Sequence, residues 1–269
     1  MRDETGDIRD FYNASAEKED RRLERHQLER DMTWRYLDKY LPRQGKILEI
    51  GAGTGAYTIL LARRGYRVTA VDFAAELLDK CRQKAKEEKL EDKVTCLTAD
   101  ARDLAVVIAA DFDAALMMGP LYHLVLEEDR RQALQEAYRR LKSGGVIFST
   151  LISRYGIWND IMQRFPDYVE YQPYMKSLLT QGTEGLPAER KGAFRGYFAA
   201  TREIAPLHEA IGFKTLALAG IETAGVRDEM YNPLRGKRRE LWLDFLFAIS
   251  AEESIVGASN HILYAGVKE

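Results

Sequence analysis

Three carboxylates and three glycines are spaced as a ligand-binding turn requires. Glu49 closes a short apolar run, Lys46–Ile50, just ahead of Gly51, Gly53 and Gly55. Asp72 closes a second run seventeen residues after Gly55, and Asp100-Ala101 closes a third. Glycines at a strand-to-helix turn let the backbone approach a ligand and accept positive φ. The ligand then lies at the carboxyl edge of a sheet, beside a helix N-terminus. Gly51, Gly53 and Ala56 also satisfy the dinucleotide pattern G-x-G-x-x-G/A. Glu49 weighs against that alternative, because its charge opposes a pyrophosphate but suits a ligand bearing an ammonium group. Asp72 can accept the hydroxyls of a ribose in either case, and Asp100 can meet an exocyclic adenine amine.

The elements that must hold these residues follow from periodicity. Residues 8–41 have an imperfect but helix-like pattern, in which Tyr12, Leu23, Leu28, Met32, Trp34, Tyr36, Leu37 and Leu41 include several three-, four- and five-residue steps among mixed charges, ended by Pro42 and Gly45. The mixed-sign charge run from Glu17 to Arg30 reads as a solvated helix face. Strands are expected at 46–50, 67–71, 94–98, 112–117 and 146–151, with helices at 56–64, 74–89 and 128–141. Strands separated by helices of that length imply parallel pairing with right-handed crossovers, a doubly wound α/β sheet. From 153 to 200 the rhythm breaks into an aromatic-rich stretch. A helix at 201–211, a strand at 214–221, a helix at 235–249 and a strand at 261–267 complete the chain. The expected organisation is an N-terminal helical segment (1–41), an α/β core (42–152 and 201–269) and an inserted lid (153–200).

Glu49, Gly51, Gly53 and Gly55 resemble the first motif, E/D-x-G-x-G-x-G, of the class I S-adenosylmethionine-dependent methyltransferases. Asp72 resembles their ribose-binding acid and Asp100 their adenine-side acid. Leu141-Lys142-Ser143-Gly144-Gly145 is similar to their L-x-P-G-G turn, with Ser143 replacing the proline. Met118-Gly119-Pro120-Leu121-Tyr122-His123-Leu124 resembles a bacterial subgroup of small-molecule methyltransferases similar to ubiquinone and menaquinone methyltransferases. The resemblance implies a Rossmann-like, mostly parallel, seven-stranded sheet whose last two strands form an antiparallel edge. It implies S-adenosylmethionine as cofactor, S-adenosylhomocysteine as product and no metal. Cofactor contacts are then expected from Glu49, Gly51, Ala52, Gly53, Gly55, Asp72, Phe73, Asp100, Ala101, Met118 and Tyr12.

A methyl on a sulfonium is already activated, so such an enzyme chiefly aligns an acceptor and excludes water. A base helps only where a proton must leave. His123 and Glu222 are the candidates, with His208 behind them, and Tyr122 is placed to orient the acceptor. Plainer roles are a helix-start cap for His123 and an arginine partner for Glu222. The aromatic stretch reads as the acceptor lid, with Arg154, Tyr171, Tyr197 and Phe198 as substrate contacts, although a small satellite core accounts for most of its rings.

Composition bounds the partners. A net charge of −2 gives no global pull toward nucleic acid. Position 117–120 reads Met-Met-Gly-Pro, without the Asn/Asp-Pro-Pro-Tyr/Phe motif of enzymes acting on DNA bases or protein glutamine. Cys81 and Cys96 show no disulfide or zinc-ligand pattern. The charged N-terminus lacks a signal-peptide core and no run of about 18 apolar residues exists. The expectation is a cytoplasmic monomer or homodimer acting on a small molecule, with RNA methylation or non-catalytic cofactor binding as alternatives.

Overall fold

The computed structural model describes residues 22–183, 196–223 and 225–269. Tyr12 and the first part of the expected N-terminal helix lie outside them. The described part of that helix has two pieces, α1 (Arg22–Arg25) and α2 (Gln27–Tyr40), separated at His26. Leu28, Met32, Tyr36 and Leu37 of α2 are buried, as their three- and four-residue steps require.

The strands are β1 (Lys46–Ile50), β2 (Arg67–Asp72), β3 (Val94–Thr98), β4 (Phe112–Met117), β5 (Leu141–Ser153), β6 (Phe198–Ala199), β7 (Phe213–Gly220) and β8 (His261–Lys268). Their order is β3-β2-β1-β4-β5-β8-β7, with β6 paired to β5 off that path. All pairings among β1 to β5 are parallel. β8 runs antiparallel to both neighbours, so the antiparallel edge takes a specific form: β8 inserts between β5 and β7, and β7 is the edge. The sheet has one strand more than expected. β6 arises where the chain returning from the lid lays Phe198 and Ala199 along Ile152 and Ser153.

Helices α3 (Ala56–Arg63), α4 (Ala75–Glu87), α5 (Pro120–His123), α6 (Glu127–Arg140), α7 (Trp158–Arg164), α8 (Gln172–Gln181), α9 (Thr201–Glu209), α10 (Asp228–Tyr231), α11 (Gly236–Ile249) and α12 (Glu253–Ala258) fill the connections. A 3-10 turn, Pro166–Glu170, links α7 to α8. Side chains alternate between the faces of each strand. Ala114, Leu116, Phe148 and Leu263 enter one core with α2, α3 and α11, while Ala115, Met117, Ile147 and Ile262 enter the other with α6 and α9. Both faces are covered, as a parallel sheet demands.

His208 belongs to that second face and not to a reaction site. It is fully buried, its Nδ1–H donating to the Ile204 carbonyl at 2.7 Å and its Nε2 accepting from Ser149 Oγ at 2.8 Å. Its ring stacks on Tyr264 at 3.8 Å. Burial pushes its pKa down from 6.5 to about 4. The unfolded chain therefore binds a proton in that window that the folded chain lacks. Stability present above pH 6.5 is lost as the pH falls toward 4, by about 3 kcal/mol from this residue alone. The imidazole resonances of His208 should stay flat between about pH 8 and 5. An ordinary histidine midpoint in that range would show that the buried ring is not held neutral.

Candidate functional site

The carboxyl ends of β1, β2 and β4 open into a cavity of about 150 Å³. The turn after β1 forms its floor. Gly51 and Ala52 both donate their backbone N–H to the Val71 carbonyl, at 2.8 and 3.0 Å. Gly51 has φ +78°, and a Cβ there would fall 2.6 Å from the Pro120 ring. Gly55, with φ +82°, is held by a different neighbour, since its Cβ would lie 2.4 Å from Cys81 Sγ on α4. Gly55 therefore seats α3 against α4 and does not line the cavity. Gly53 does line it, and a Cβ there would meet nothing within 4 Å, leaving room for a ligand.

Glu49 is 2% exposed and accepts a hydrogen bond from Thr58 Oγ1 on α3. Burial raises its pKa to about 8, with the nearby Asp72 charge adding to the shift. An acid held out of water in this way is ready to pair with an incoming cation. Asp72 is buried and accepts from the Gly53 N–H at 2.8 Å and from the Ala74 N–H at 2.9 Å, which fixes its carboxylate at the end of β2. Asp100 accepts from Arg102, through the backbone N–H at 2.8 Å and the guanidinium at 2.6 and 3.0 Å. Phe73, Leu77, Ala101 and Met118 supply an apolar slot between these acids. Two buried acids at neighbouring strand ends and an apolar slot fit the ammonium, ribose and purine of S-adenosylmethionine.

Nine of the eleven expected cofactor contacts line this cavity; Gly55 and Tyr12 are the other two. Tyr122 and His123 line it as well, with ring centroids 4.7 Å apart. Glu222 lies elsewhere, just past the end of β7. It accepts from His261 Nδ1 at 2.7 Å and borders a second cavity of about 480 Å³, between α7, α10 and the start of α2. Burial alone would raise the Glu222 pKa, but the imidazolium of His261 holds it down, at about 2.

The four residues expected as substrate contacts, Arg154, Tyr171, Tyr197 and Phe198, are mainly engaged with neighbours inside the fold. Arg154 is buried, donating to the Phe198 carbonyl at 3.1 Å and to Glu203 at 2.7 Å. Tyr197 also donates to Glu203, and its backbone N–H donates to the Tyr122 carbonyl at 2.7 Å. Phe198 packs with Tyr122, Tyr168 and Tyr174 in a satellite core that Tyr171 flanks. None of Arg154, Tyr171, Tyr197 and Phe198 is among the described residues lining either cavity.

Sequence reasoning missed Tyr57, Thr58 and Arg22. Arg22 lines the first cavity while donating to both carboxylate oxygens of buried Glu29, at 2.9 and 2.7 Å. The charge run from 17 to 30 is thus not wholly a solvated face. Its mixed signs carry no mark of which side turns inward.

Residues 47–145 match the family described as a methyltransferase domain. A tRNA 5-carboxymethoxyuridine methyltransferase of Escherichia coli is 30% identical over 152 residues, covering 54% of this chain and 56% of that protein. A ubiquinone biosynthesis O-methyltransferase of Xylella fastidiosa is 31% identical over 149 residues, covering 55% and 56%. The chain spans about half the length of these curated relatives. Among solved structures, a magnesium protoporphyrin IX methyltransferase of Synechocystis with bound S-adenosylhomocysteine matches with a TM-score of 0.61 at 14% identity. That match covers 99% of this chain and 100% of the other, a likeness of fold.

The raised pKa of Glu49 has a measurable consequence. At neutral pH the acid holds its proton, and an ammonium beside it favours the carboxylate, so binding expels the proton. Titration calorimetry with S-adenosylhomocysteine in buffers of different ionisation enthalpy should report release of close to one proton near pH 7, vanishing in Glu49→Gln. Heat independent of the buffer would mean that Glu49 is already ionised.

Proposed function

We propose that this chain, which carries a methyltransferase domain over residues 47–145 and shares the fold of a methyltransferase with bound S-adenosylhomocysteine, is a class I S-adenosylmethionine-dependent methyltransferase that transfers a methyl group to a small-molecule acceptor. The observation that carries this reading is the convergence of Glu49, Asp72 and Asp100 on the cavity that Tyr122 and His123 also line. The cofactor supplies a methyl group already activated on a sulfonium. Glu49 pairs with its ammonium, Asp72 with its ribose hydroxyls, and Asp100 sits at the adenine edge. Tyr122 and His123 orient the acceptor, and His123 takes up its proton where one must leave. The described residues that follow β5 cover the acceptor: Tyr155, Trp158, Asn159 and Asp160 border the second cavity, across the Arg22–Glu29 pair from the first. That lining is largely polar, which favours an acceptor with hydrogen-bonding groups over a wholly apolar one.

An RNA acceptor is the second reading. The likeness to a tRNA methyltransferase favours it, as do the exposed Arg235, Lys237 and Arg238 at the start of α11, with Trp242 and Phe245 exposed further along. Arg239, also in that basic cluster, is occupied by Asp31 at 2.6 Å. Incubation with methyl-labelled cofactor separates the two readings. Label entering the low-molecular-weight fraction of a metabolite extract supports the first, and label entering total tRNA supports the second.

S-adenosylhomocysteine should bind the wild-type protein one-to-one in calorimetry, and Asp72→Ala should weaken that binding by about 1–3 kcal/mol through loss of charge-assisted hydrogen bonds. A folded wild-type sample that binds none sinks the assignment. His123→Ala should lower turnover of whichever acceptor is labelled while leaving cofactor affinity nearly unchanged. Full activity in that variant would confine His123 to a structural role.

A further inference from the structure

Three segments far apart in sequence bring two histidines and three carboxylates together beside the second cavity. Donor atoms of Glu29, Glu222 and His261 all lie within 4.8 Å of one another. His26 extends the group, its Nδ1 standing 3.8 Å from Glu222 Oε1 and 2.9 Å from Asp228 Oδ2. Glu222 therefore lies between two imidazoles, with His261 Nδ1 2.7 Å from its other oxygen. α2 contributes Glu29 beside His26 at its start, the end of β7 contributes Glu222, α10 contributes Asp228, and β8 contributes His261.

The charge of this region asks for a cation. Among the described residues, Glu29, Asp160, Glu222, Asp228 and Glu229 oppose Arg22, Arg164 and Arg227, leaving two negative charges when both imidazoles are neutral. Two protons on the histidines, or one divalent ion, would balance it. The donor set decides which ion. Mixed imidazole and carboxylate ligands suit Zn²⁺, Fe²⁺, Mn²⁺ or Co²⁺; an all-oxygen set would suit Mg²⁺ or Ca²⁺, and thiolates would suit softer ions. Arg22, which donates to both oxygens of Glu29, is the kind of partner that orients a ligating carboxylate. The cavity bordered by Glu29, Glu222 and Asp228 leaves room for water or a further oxygen ligand.

We propose that Glu29, Glu222 and His261, with His26 and Asp228 beside them, form a binding site for one divalent transition-metal ion. Loading displaces the proton shared by His261 Nδ1 and Glu222, which passes to solvent. The site borders the second cavity and none of Glu222, His261, His26 and Asp228 lines the first, so metal binding is measured without cofactor or acceptor and its failure is distinguishable from failure of cofactor binding.

The test uses the full chain, stripped with a chelator and dialysed, then titrated near neutral pH with ZnCl₂ by calorimetry and with CoCl₂ by visible absorption. The expected result is a single Zn²⁺ site per chain and a Co²⁺ band of a nitrogen–oxygen site. Glu222→Gln and His261→Asn should each weaken binding at least about 10-fold. His26 is 28% exposed, so His26→Asn tests the site should the buried variants fail to fold, and it too should weaken binding. Absence of a stoichiometric Zn²⁺ site in the wild type overturns the proposal. So does an affinity left unchanged by whichever of these variants fold.

Discussion

A carboxyl group kept out of water at the end of β1 sets the terms for everything around it. Glu49 is enclosed by the glycine turn on one side and by α3 on the other, where Thr58 donates to it. Its low exposure depends on the tight path from Gly51 to Gly55, because any side chain at Gly51 would strike Pro120 and push the turn off the strand ends. The same turn directs the Gly53 N–H at Asp72, so the acids at the ends of neighbouring strands are positioned by one piece of backbone. Parallel strands make this possible, since adjacent carboxyl ends finish on one edge of the sheet.

The pairing partners of that edge were readable from the chain because they are local. Each acid closes an apolar run, and the spacing between run, turn and helix leaves little freedom in where the acid sits. Strand limits at Lys46–Ile50, Val94–Thr98 and Phe112–Met117 followed from the same periodicity. The lid was less legible. Aromatic residues near a binding site look alike whether they face a ligand or each other, and Tyr168, Tyr174 and Phe198 face each other. Arg154 looked like a ligand contact because it is charged and follows β5, yet Glu203 and the Phe198 carbonyl use its donors within the fold. The cluster of His26, Glu29, Glu222 and His261 left no trace of spacing at all. It forms only because β8 inserts between β5 and β7 and carries His261 beside the end of β7.

That insertion also explains why the two cavities share a wall. Tyr122 lines the first cavity, and its ring meets His261 edge-on at 6.2 Å, so β8 stands behind that part of the cavity. The Tyr197 N–H anchors the Tyr122 carbonyl, which ties the lid's return strand to the same point. The wall is rigid on that side because it is built from a sheet interior and a backbone hydrogen bond.

On the other side the wall is electrostatic. Arg22 lines the cavity proposed for an adenosyl sulfonium amino acid, which carries a sulfonium, an ammonium and a carboxylate. A guanidinium without a partner there would repel the two cationic groups and attract the carboxylate. Glu29 offers both oxygens to Arg22 from a buried position on α2, so the cavity meets a neutral pair. That pairing accounts for a glutamate 5% exposed on a helix face that otherwise buries Leu28, Met32 and Tyr36. Donor atoms of Glu29, Glu222 and His261 also lie within 4.8 Å of one another, so one buried carboxylate links Arg22 at the first cavity to the cluster beside the second.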